Sequence, residues 1–322
     1  MLKSVLRIAV TIAVAFIALG APVSRAQTVI LGSVGSASAN GWPSYVAIEK
    51  GLFAAEGLTP DPVFAQSNAG VIQQLAAGSI NISTNSGLVD PIRAIEKGAP
   101  LAIIRIEVQK PPYSLLAKAN IKNIKELKGK LISVGGAKDI TRIFVERMLA
   151  PSGVMPGEFD MTFAGATSAR FAALQAGAVD AAILTPPYNF HAQSAGYTLL
   201  GNAVDFADMP FAGIAVNTNW AAANKSTVGK IISIYTKSIA WLYDPMNREE
   251  SVQILIKVSG LKKADVERSY DFLIGGKYFE PTGKVSRKRV GTLIEALTVL
   301  GDIPKDFSVD RLFLAGTAQV TD

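Results

Sequence analysis

Side chains that form hydrogen bonds without ionising recur in short segments of this chain, and they favour ligand recognition over bond-breaking chemistry. The candidate binding residues are Ser36, Ser38, Asn40, Trp42, Ser67, Asn68, Asn85, Ser86, Asp139, Thr141, Arg142 and Thr185. Most of them carry a hydroxyl or an amide, and few carry a charge. Several can also cap the helices that follow them, so direct binding and capping both remain open.

Trp42 and Arg142 offer two further contacts. The Trp42 ring could stack on an aromatic or heterocyclic ligand, or it could pack against the first helix. The Arg142 guanidinium could pair with a carboxylate or sulfonate, as could Lys138, although a cation at such a position is more often solvated. The ligand is therefore expected to be a small organic molecule that is anionic, aromatic or heterocyclic.

The composition excludes several kinds of site. The chain contains no cysteine, which excludes thiol catalysis, zinc sites built on cysteine and iron–sulfur clusters. His191 is the only histidine, and no carboxylate or serine stands at a spacing typical of a triad, so a structural role is predicted. Gly32, Gly35 and Gly41 lack the spacing of a dinucleotide-binding loop. The sequence predicts no catalytic residue, no metal and no cofactor.

Alternating strands and helices must position the candidate residues. Short apolar runs predict strands at 28–34, 63–64, 80–83, 101–106, 131–134, 160–163, 179–184 and 211–216. Helical patterns separate most of them, which indicates mostly parallel sheets with helical crossovers. Loops at the carboxyl ends of parallel strands face the ligand crevice. We therefore expect the candidate residues to meet there, with 84–88 as one of these loops.

An internal repeat divides the chain. Residues 31–36 read LGSVGS and residues 131–136 read LISVGG. Further on, IQQLAAGSIN at 72–81 has its counterpart in FAALQAGAVD at 171–180. Two copies of one α/β unit predict two similar lobes that face each other across a ligand cleft.

The first 26 residues are predicted to be a cleaved signal peptide. Lys3 and Arg7 precede an apolar run at 8–21, which is shorter than the roughly 20 residues of a membrane-spanning helix. The end of the segment, Ser24-Arg25-Ala26, is typical of a cleavage site. Removing its three basic residues from the 32 in the chain leaves 29 against 26 acidic ones, a net charge of +3. That charge is too small and dispersed to predict a nucleic-acid partner.

Residues 41–58 (GWPSYVAIEKGLFAAEGL) resemble the opening of periplasmic substrate-binding proteins of the nitrate, sulfonate and taurine type of ABC transporter. The second lobe matches through LQAGAVDAAILTPP at 174–187, and W-L-x-D-P at 241–245 fits the same family. Where the family often has aspartate after its A-L-x-x-G segment, the first lobe has Asn81 and the second has Asp180. This position is expected to fix the start of a strand.

The resemblance implies an α/β, two-lobe periplasmic-binding-protein fold of type II. Each lobe is a mostly parallel sheet flanked by helices, and the ligand cleft lies between the lobes. Residues 27–110 are expected to begin the first lobe, 111–210 to form the second, and 211–322 to return to the first. Prolines that interrupt regular structure place the crossings at 107–113 and 205–211.

The resemblance also implies a function. The chain is expected to be an exported, monomeric, periplasmic receptor that captures a solute and delivers it to an ABC permease. Two alternatives remain open: a periplasmic sensor that presents ligand to a membrane receptor, and an enzyme similar to the branch of this fold that makes the thiamine pyrimidine. The enzyme is disfavoured, because that branch resembles cytoplasmic proteins with a cysteine-rich motif.

Overall fold

The computed structural model describes residues 26–317 and 319–322, so the predicted signal peptide, apart from its last residue, lies outside the described residues. The strands are β1 (Gln27–Val34), β2 (Leu58–Ala65), β3 (Ile82–Gly87), β4 (Leu101–Val108), β5 (Ser114–Ala117), β6 (Leu131–Val134), β7 (Asp160–Phe163), β8 (Ala181–Leu184), β9 (Thr198–Asn202), β10 (Ala212–Asn217), β11 (Val285–Ser286) and β12 (Val320–Thr321). The α-helices are α1 (Trp42–Glu49), α2 (Leu52–Ala55), α3 (Asn68–Ala76), α4 (Val89–Glu96), α5 (Ile140–Leu149), α6 (Thr167–Gln175), α7 (Tyr188–Ser194), α8 (Thr218–Ala223), α9 (Lys225–Tyr243), α10 (Arg248–Ser259), α11 (Lys263–Tyr270) and α12 (Arg287–Val299).

The first sheet has the strand order β2-β1-β3-β10-β4. β1 is parallel to β2 and β3, whereas β10 runs antiparallel to both β3 and β4. β4 and β10 are buried along their whole length, as expected for strands of a sheet that is covered on both faces. The N-terminal part of the chain therefore shares its sheet with a strand that returns after residue 211.

The second sheet repeats this plan with the order β7-β6-β8-β5-β9. β6 is parallel to β7 and β8, and β5 runs antiparallel to β8 and β9. β6 thus takes the place of β1, and β8 takes that of β3, which confirms the repeated α/β unit and the two-lobe fold.

Asn81 and Asp180 occupy equivalent positions in the two copies of the repeat and form equivalent hydrogen bonds. Asn81 Oδ1 accepts a hydrogen bond from Ile30 N at 2.8 Å, and Asp180 Oδ2 accepts one from Leu131 N at 3.1 Å. Each side chain ties the start of a strand to its neighbour in the sheet. The prediction that this position fixes a strand start is confirmed.

Two segments of the chain join the lobes. Residues 109–113 lead from β4 to β5, and 203–211 lead from β9 to β10. The two crossings are hydrogen-bonded together, since Ala203 N donates to Tyr113 O at 2.8 Å and Phe211 N donates to Val108 O at 2.9 Å. Paired connections of this kind can serve as the hinge between two lobes.

The helices that follow β10 make a third contact between the lobes, where α7 meets α11. His191 Nδ1 lies 2.9 Å from Asp265 Oδ2, and Ser194 Oγ donates to Asp265 Oδ1 at 2.7 Å. His191 therefore has the structural role that the sequence predicts. Among the described helices, none combines the length and apolar character needed to cross a membrane.

The structure differs from the sequence prediction at several strands. Residues 84–87 continue β3 and are not a loop, because Ser86 and Gly87 pair with Gly213 and Ala212 of β10. β5 and β9 are absent from the predicted strands. β2 spans Leu58–Ala65 where only 63–64 was predicted, because an edge strand tolerates Pro60 and Pro62.

Candidate functional site

A cavity of about 60 Å³ lies between the two lobes. It is lined by Val34, Ser38, Asn40, Ser67, Asn68, Asn85 and Gly87 of the first lobe, Tyr113 and Phe211 of the crossings, and Gly135, Asp139, Ile140, Gly165, Ala166, Thr167 and Arg170 of the second lobe. Predicted binding residues from four separate segments of the sequence therefore meet at one place. They are Ser38, Asn40, Ser67, Asn68, Asn85 and Asp139.

Several lining residues begin helices. Ser67 Oγ accepts a hydrogen bond from Gly70 N at 3.2 Å at the start of α3. Asp139 Oδ1 accepts one from Thr141 N at 2.9 Å at the start of α5. Capping and lining therefore occur together at these positions, and the first turns of both helices lie beside the cavity.

Three asparagines carry amide oxygens that have no hydrogen-bond partner among the described residues. Asn40, Asn68 and Asn85 expose only 4%, 8% and 9% of their surface, and the Oδ1 atom of each is unpaired. The orientation of the Asn68 amide is fixed by its other end, since Nδ2 donates to Gly87 O at 3.0 Å and to Asp90 Oδ2 at 2.6 Å. A buried acceptor without a partner costs free energy, and beside a cavity it is available to a ligand.

Asn85 has an unusual backbone conformation next to a buried carboxyl group. Its φ of 52° lies in the left-handed region, which few residues other than glycine adopt. Its N–H donates to Glu107 Oε2 at 3.2 Å. Burial raises the pKa of Glu107 to about 7, although the Asn85 N–H and the charge of Arg105 oppose the shift. Backbone conformations of this kind cluster at functional sites.

A second acidic group lies behind the lining. Burial raises the pKa of Asp90 to about 6, and the charge of Asp139 adds to the effect, while the Asn68 hydrogen bond and Arg93 act in the opposite direction. Asp90 is thus tied to the cavity through the Asn68 amide.

Arg170 is absent from the predicted set of binding residues, although it lines the cavity and is only 3% exposed. Its Nε donates to Ile183 O at 2.7 Å, its Nη2 donates to Thr167 Oγ1 at 2.6 Å, and its Nη1 donates to Gly165 O. One feature of the sequence indicates that Arg170 is buried. It stands four residues before the buried Leu174, so both side chains lie on the same face of α6.

Two aromatic residues of the crossings are also absent from the predicted set. The rings of Tyr113 and Phe211 meet edge to face with their centroids 5.1 Å apart, and the Arg170 guanidinium lies 5.8 Å from the centre of the Tyr113 ring. Irregular segments show no periodicity, so sequence patterns could place the crossings but could not show which of their side chains face the cavity.

Hydrogen bonds join the lobes around the cavity. Ala39 N donates to Pro186 O at 2.9 Å, and Ser38 Oγ lies 3.3 Å from Thr185 Oγ1. Thr185, a predicted binding residue, therefore contacts the opposite lobe at the edge of the cavity. On another side, Arg93 donates to the carbonyl oxygen of Lys138.

The two lobes approach each other closely at Gly165. A Cβ atom at this position would lie 2.3 Å from Gln66 O of the first lobe, a distance that no side chain could accept. Its φ of 68° also lies in the left-handed region. The cavity is thus enclosed by an approach that only glycine permits.

The sequence prediction that the Trp42 ring could stack on a ligand is wrong. Its side chain is 0% exposed and belongs to the core. Its Nε1 donates to Ser251 O at 3.0 Å, and its ring meets Tyr270 edge to face at 5.8 Å. The ring therefore packs in the core, as the alternative proposed, although its partners are α10 and α11 and not the first helix, to which Trp42 belongs.

The prediction that Arg142 pairs with the ligand is also wrong, since Arg142 does not line the inter-lobe cavity. Its Nε donates to Glu146 Oε1 at 2.8 Å on the exposed face of α5. Arg142 is the third residue of α5 and is exposed, whereas Arg170 of α6 is buried beside the cavity. The cation on which an anionic ligand would depend is therefore not Arg142.

Three other predicted residues do not line the inter-lobe cavity. Ser86 is 1% exposed, and its Oγ donates to Thr84 O at 3.5 Å within β3. Thr141 Oγ1 donates to Asp139 Oδ1 at 2.6 Å. Ser36 lines a different cavity. Ser86 and Thr141 thus support the lining residues through the backbone and through Asp139.

The cavity that Ser36 lines has a volume of about 270 Å³ and lies in the first lobe. It is mostly apolar, with Leu31, Ile48, Phe64 and other side chains from β1, α1 and β2. Asn85 lines both cavities. The smaller cavity remains the candidate site, because both lobes contribute to it and its buried acceptors are unpaired.

Within the part of the chain that the structure describes, no cluster of histidine, aspartate and glutamate side chains has a geometry that could hold a metal ion. His191 does not line the cavity, and its ring is hydrogen-bonded to Asp265 where α7 meets α11.

Comparisons with known proteins agree with this architecture. A sequence model of the family described as "NMT1/THI5 like" matches residues 38–247. A search of curated proteins finds no match. Among solved structures, the alkanesulfonate-binding protein SsuA from Xanthomonas axonopodis pv. citri, bound to MOPS, has a TM-score of 0.73 at 20% identity, over 91% of this chain and 98% of that one.

Two further solved structures are similar. The periplasmic nitrate-binding protein NrtA from Synechocystis PCC 6803 has a TM-score of 0.70 at 16% identity, over 88% of this chain and 84% of that one. The desulfurization enzyme DSZB has a TM-score of 0.66 at 12% identity, over 90% of this chain and 97% of that one. At these identities the likeness establishes the fold, which both binding proteins and an enzyme share.

Proposed function

Because the chain belongs to the NMT1/THI5-like family, we propose that it is a periplasmic receptor that captures a small organic solute and delivers it to an ABC-type permease. The observation that carries the proposal is the inter-lobe cavity, where both lobes and both crossings contribute polar or aromatic side chains. The lining offers hydrogen bonds and lacks a nucleophile paired with a base, so it is suited to holding a molecule unchanged.

Closure of the lobes around the solute is the proposed mechanism. The solute first binds the exposed edge of one lobe, and the crossings at 109–113 and 203–211 then act as the hinge. Contacts such as Ser38 with Thr185 form only when the lobes meet. A solute that touches both lobes favours the closed form through contacts that the open form cannot make.

The closed form is what the permease would recognise. A cavity enclosed on both sides releases its solute only when the lobes separate, so delivery requires a partner that opens them. We propose that the receptor acts as a monomer in the periplasm, in keeping with the export signal that the sequence predicts.

The test is thermal unfolding of the purified protein with sulfonates, nitrate, aromatic carboxylates, pyrimidines and flavins. A solute present at a hundred times its Kd adds about 2.7 kcal/mol to the free energy of unfolding and raises the Tm. A rise confined to one chemical class would support the proposal and identify the solute.

A matched pair of variants shows whether closure is needed. In Gly165→Ala the new Cβ would meet Gln66 O at 2.3 Å, whereas in Gly177→Ala it meets nothing within 4 Å, although both glycines have a positive φ. We expect Gly165→Ala to lose the rise in Tm and Gly177→Ala to keep it. An equal rise in both variants would show that the solute does not bind between closed lobes.

A further inference from the structure

The buried acceptors of the inter-lobe cavity narrow the class of solute. Asn40, Asn68 and Asn85 all line the cavity, and each has an Oδ1 atom without a partner among the described residues. The Asn68 oxygen cannot exchange places with its Nδ2, because Nδ2 already donates to a carbonyl and a carboxylate oxygen. The Asn68 amide therefore presents an acceptor, and Asn40 and Asn85 present two more in the orientation that the structure gives them, so a ligand with hydrogen-bond donors would satisfy all three.

The lining of the cavity carries one charge of each sign, so hydrogen bonding rather than net charge decides the class of solute. Of the described residues that line it, Arg170 alone is basic and Asp139 alone is acidic. Each of the three nitrogens of Arg170 donates one hydrogen bond to a protein oxygen, which leaves one N–H on Nη1 and one on Nη2. Two more carboxyl groups stand behind the lining, since Asp90 accepts from the Asn68 amide and Glu107 accepts from the Asn85 backbone.

An oxyanion would be poorly matched to these surroundings. A sulfonate, nitrate or carboxylate offers only acceptors, so the three amide oxygens would remain unpaired, and each buried polar group left without a partner weakens binding. A planar head group with several N–H donors would pair with them, and a positive charge on it would be compatible with Asp139, the acidic residue of the lining.

We propose that the solute carries a nitrogenous head group, an amidine or guanidine or an amine, that donates N–H hydrogen bonds to Asn40, Asn68 and Asn85. This inference rests on the proposed receptor function and assigns its substrate class. The apolar cavity that shares Asn85 is placed to take a hydrocarbon or aromatic part of the same molecule.

Isothermal titration calorimetry with three matched probes tests the head group. Benzamidine, benzoate and benzenesulfonate share one ring and differ only in the group attached to it, and acetamidine tests the head group without a ring. We expect benzamidine to bind at least about tenfold more tightly than either acid, as hydrogen bonds to a charged donor imply. Tighter binding of benzoate or benzenesulfonate would overturn the inference, as would no binding of either amidine.

Two variants assign the effect to the asparagines. Asn40→Leu should weaken benzamidine binding about tenfold or more, because it removes one acceptor. Asn85→Asp keeps the shape and adds a negative charge, so it should strengthen benzamidine binding, a gain that general damage to the fold could not produce. Asn219→Asp adds the same charge at an exposed site on α8 and should change nothing. Equal effects of Asn85→Asp and Asn219→Asp would overturn the inference.

Different results would refute the proposed receptor function and the proposed nitrogenous head group. An acid that binds the wild type but not Gly165→Ala would leave the receptor function intact and refute the nitrogenous head group. If neither these probes nor the broader panel of solutes bound at all, both proposals would be wrong.

Discussion

Replacing Glu107 with glutamine tests the buried acid behind Asn85. Glu107 is 0% exposed, and burial raises its pKa from the ordinary 4.5 to about 7. A carboxyl group whose pKa is higher in the folded chain than in the unfolded chain stabilises the fold while it is protonated. This contribution is fully present below about pH 4.5 and is lost as the pH rises through about 7.

The size of the effect follows from the interval between the two pKa values. A rise from 4.5 to about 7 corresponds to roughly 3 kcal/mol of unfolding free energy. Glutamine does not titrate. The free energy of unfolding of Glu107→Gln, relative to that of the wild type, should therefore rise by roughly 3 kcal/mol between about pH 4 and about pH 8. Urea unfolding followed by circular dichroism, repeated across this range for both proteins, measures the gain.

The comparison isolates Glu107, because other groups such as Asp90 titrate in both proteins. Glu295→Gln, on the exposed face of α12, is the matched control, and its stability should differ from that of the wild type by the same amount at every pH. A constant difference between Glu107→Gln and the wild type would refute the reasoning, because it would mean that the carboxyl group is solvated in the folded protein.

Three further substitutions test the corrections and the inter-lobe contacts. Trp42→Ala should lower the free energy of unfolding by about 3–5 kcal/mol, as for other large core side chains, and a smaller loss in urea unfolding would show that the ring is not part of the core. Arg142→Gln should change the free energy of unfolding by less than about 0.5 kcal/mol, since its partner Glu146 is on the same helix. It should change the affinity for the solute by less than about twofold, and a tenfold loss of affinity in calorimetry would show that Arg142 belongs to the site. Arg93→Met should weaken solute binding about threefold to tenfold, because the closed form loses the hydrogen bond to Lys138 O; unchanged affinity would show that this contact does not favour closure.

The sequence was sufficient for the architecture because the repeat is local and regular. Matching segments at 31–36 and 131–136 became the corresponding strands β1 and β6, and Asn81 and Asp180 took the same structural role. Loops after parallel strands were the right place to look for polar lining residues, since the geometry of a parallel sheet brings them to one edge.

Individual side chains were harder to predict, because their direction depends on packing between distant segments. Trp42 follows a strand just as the lining residues do, yet its ring turns to meet Tyr270 from the C-terminal helices. Arg142 and Arg170 both lie in the first turn of a helix in the second lobe, but only Arg170 is on the face that packs against the sheet. No local pattern shows which of two such cations will be buried.

The distance between the lobes is the most direct test of closure over a solute. The chain contains no cysteine, so Ala69→Cys and Ser168→Cys, at exposed positions in the first turns of α3 and α6, can carry a pair of nitroxide labels at the edge of the cavity. Pulsed electron–electron double resonance should show a shorter and narrower distribution of label-to-label distances when the solute that raises the Tm is saturating. The same labels in Gly165→Ala should keep the longer distances. Identical distributions with and without that solute would contradict a receptor that closes its lobes around its ligand.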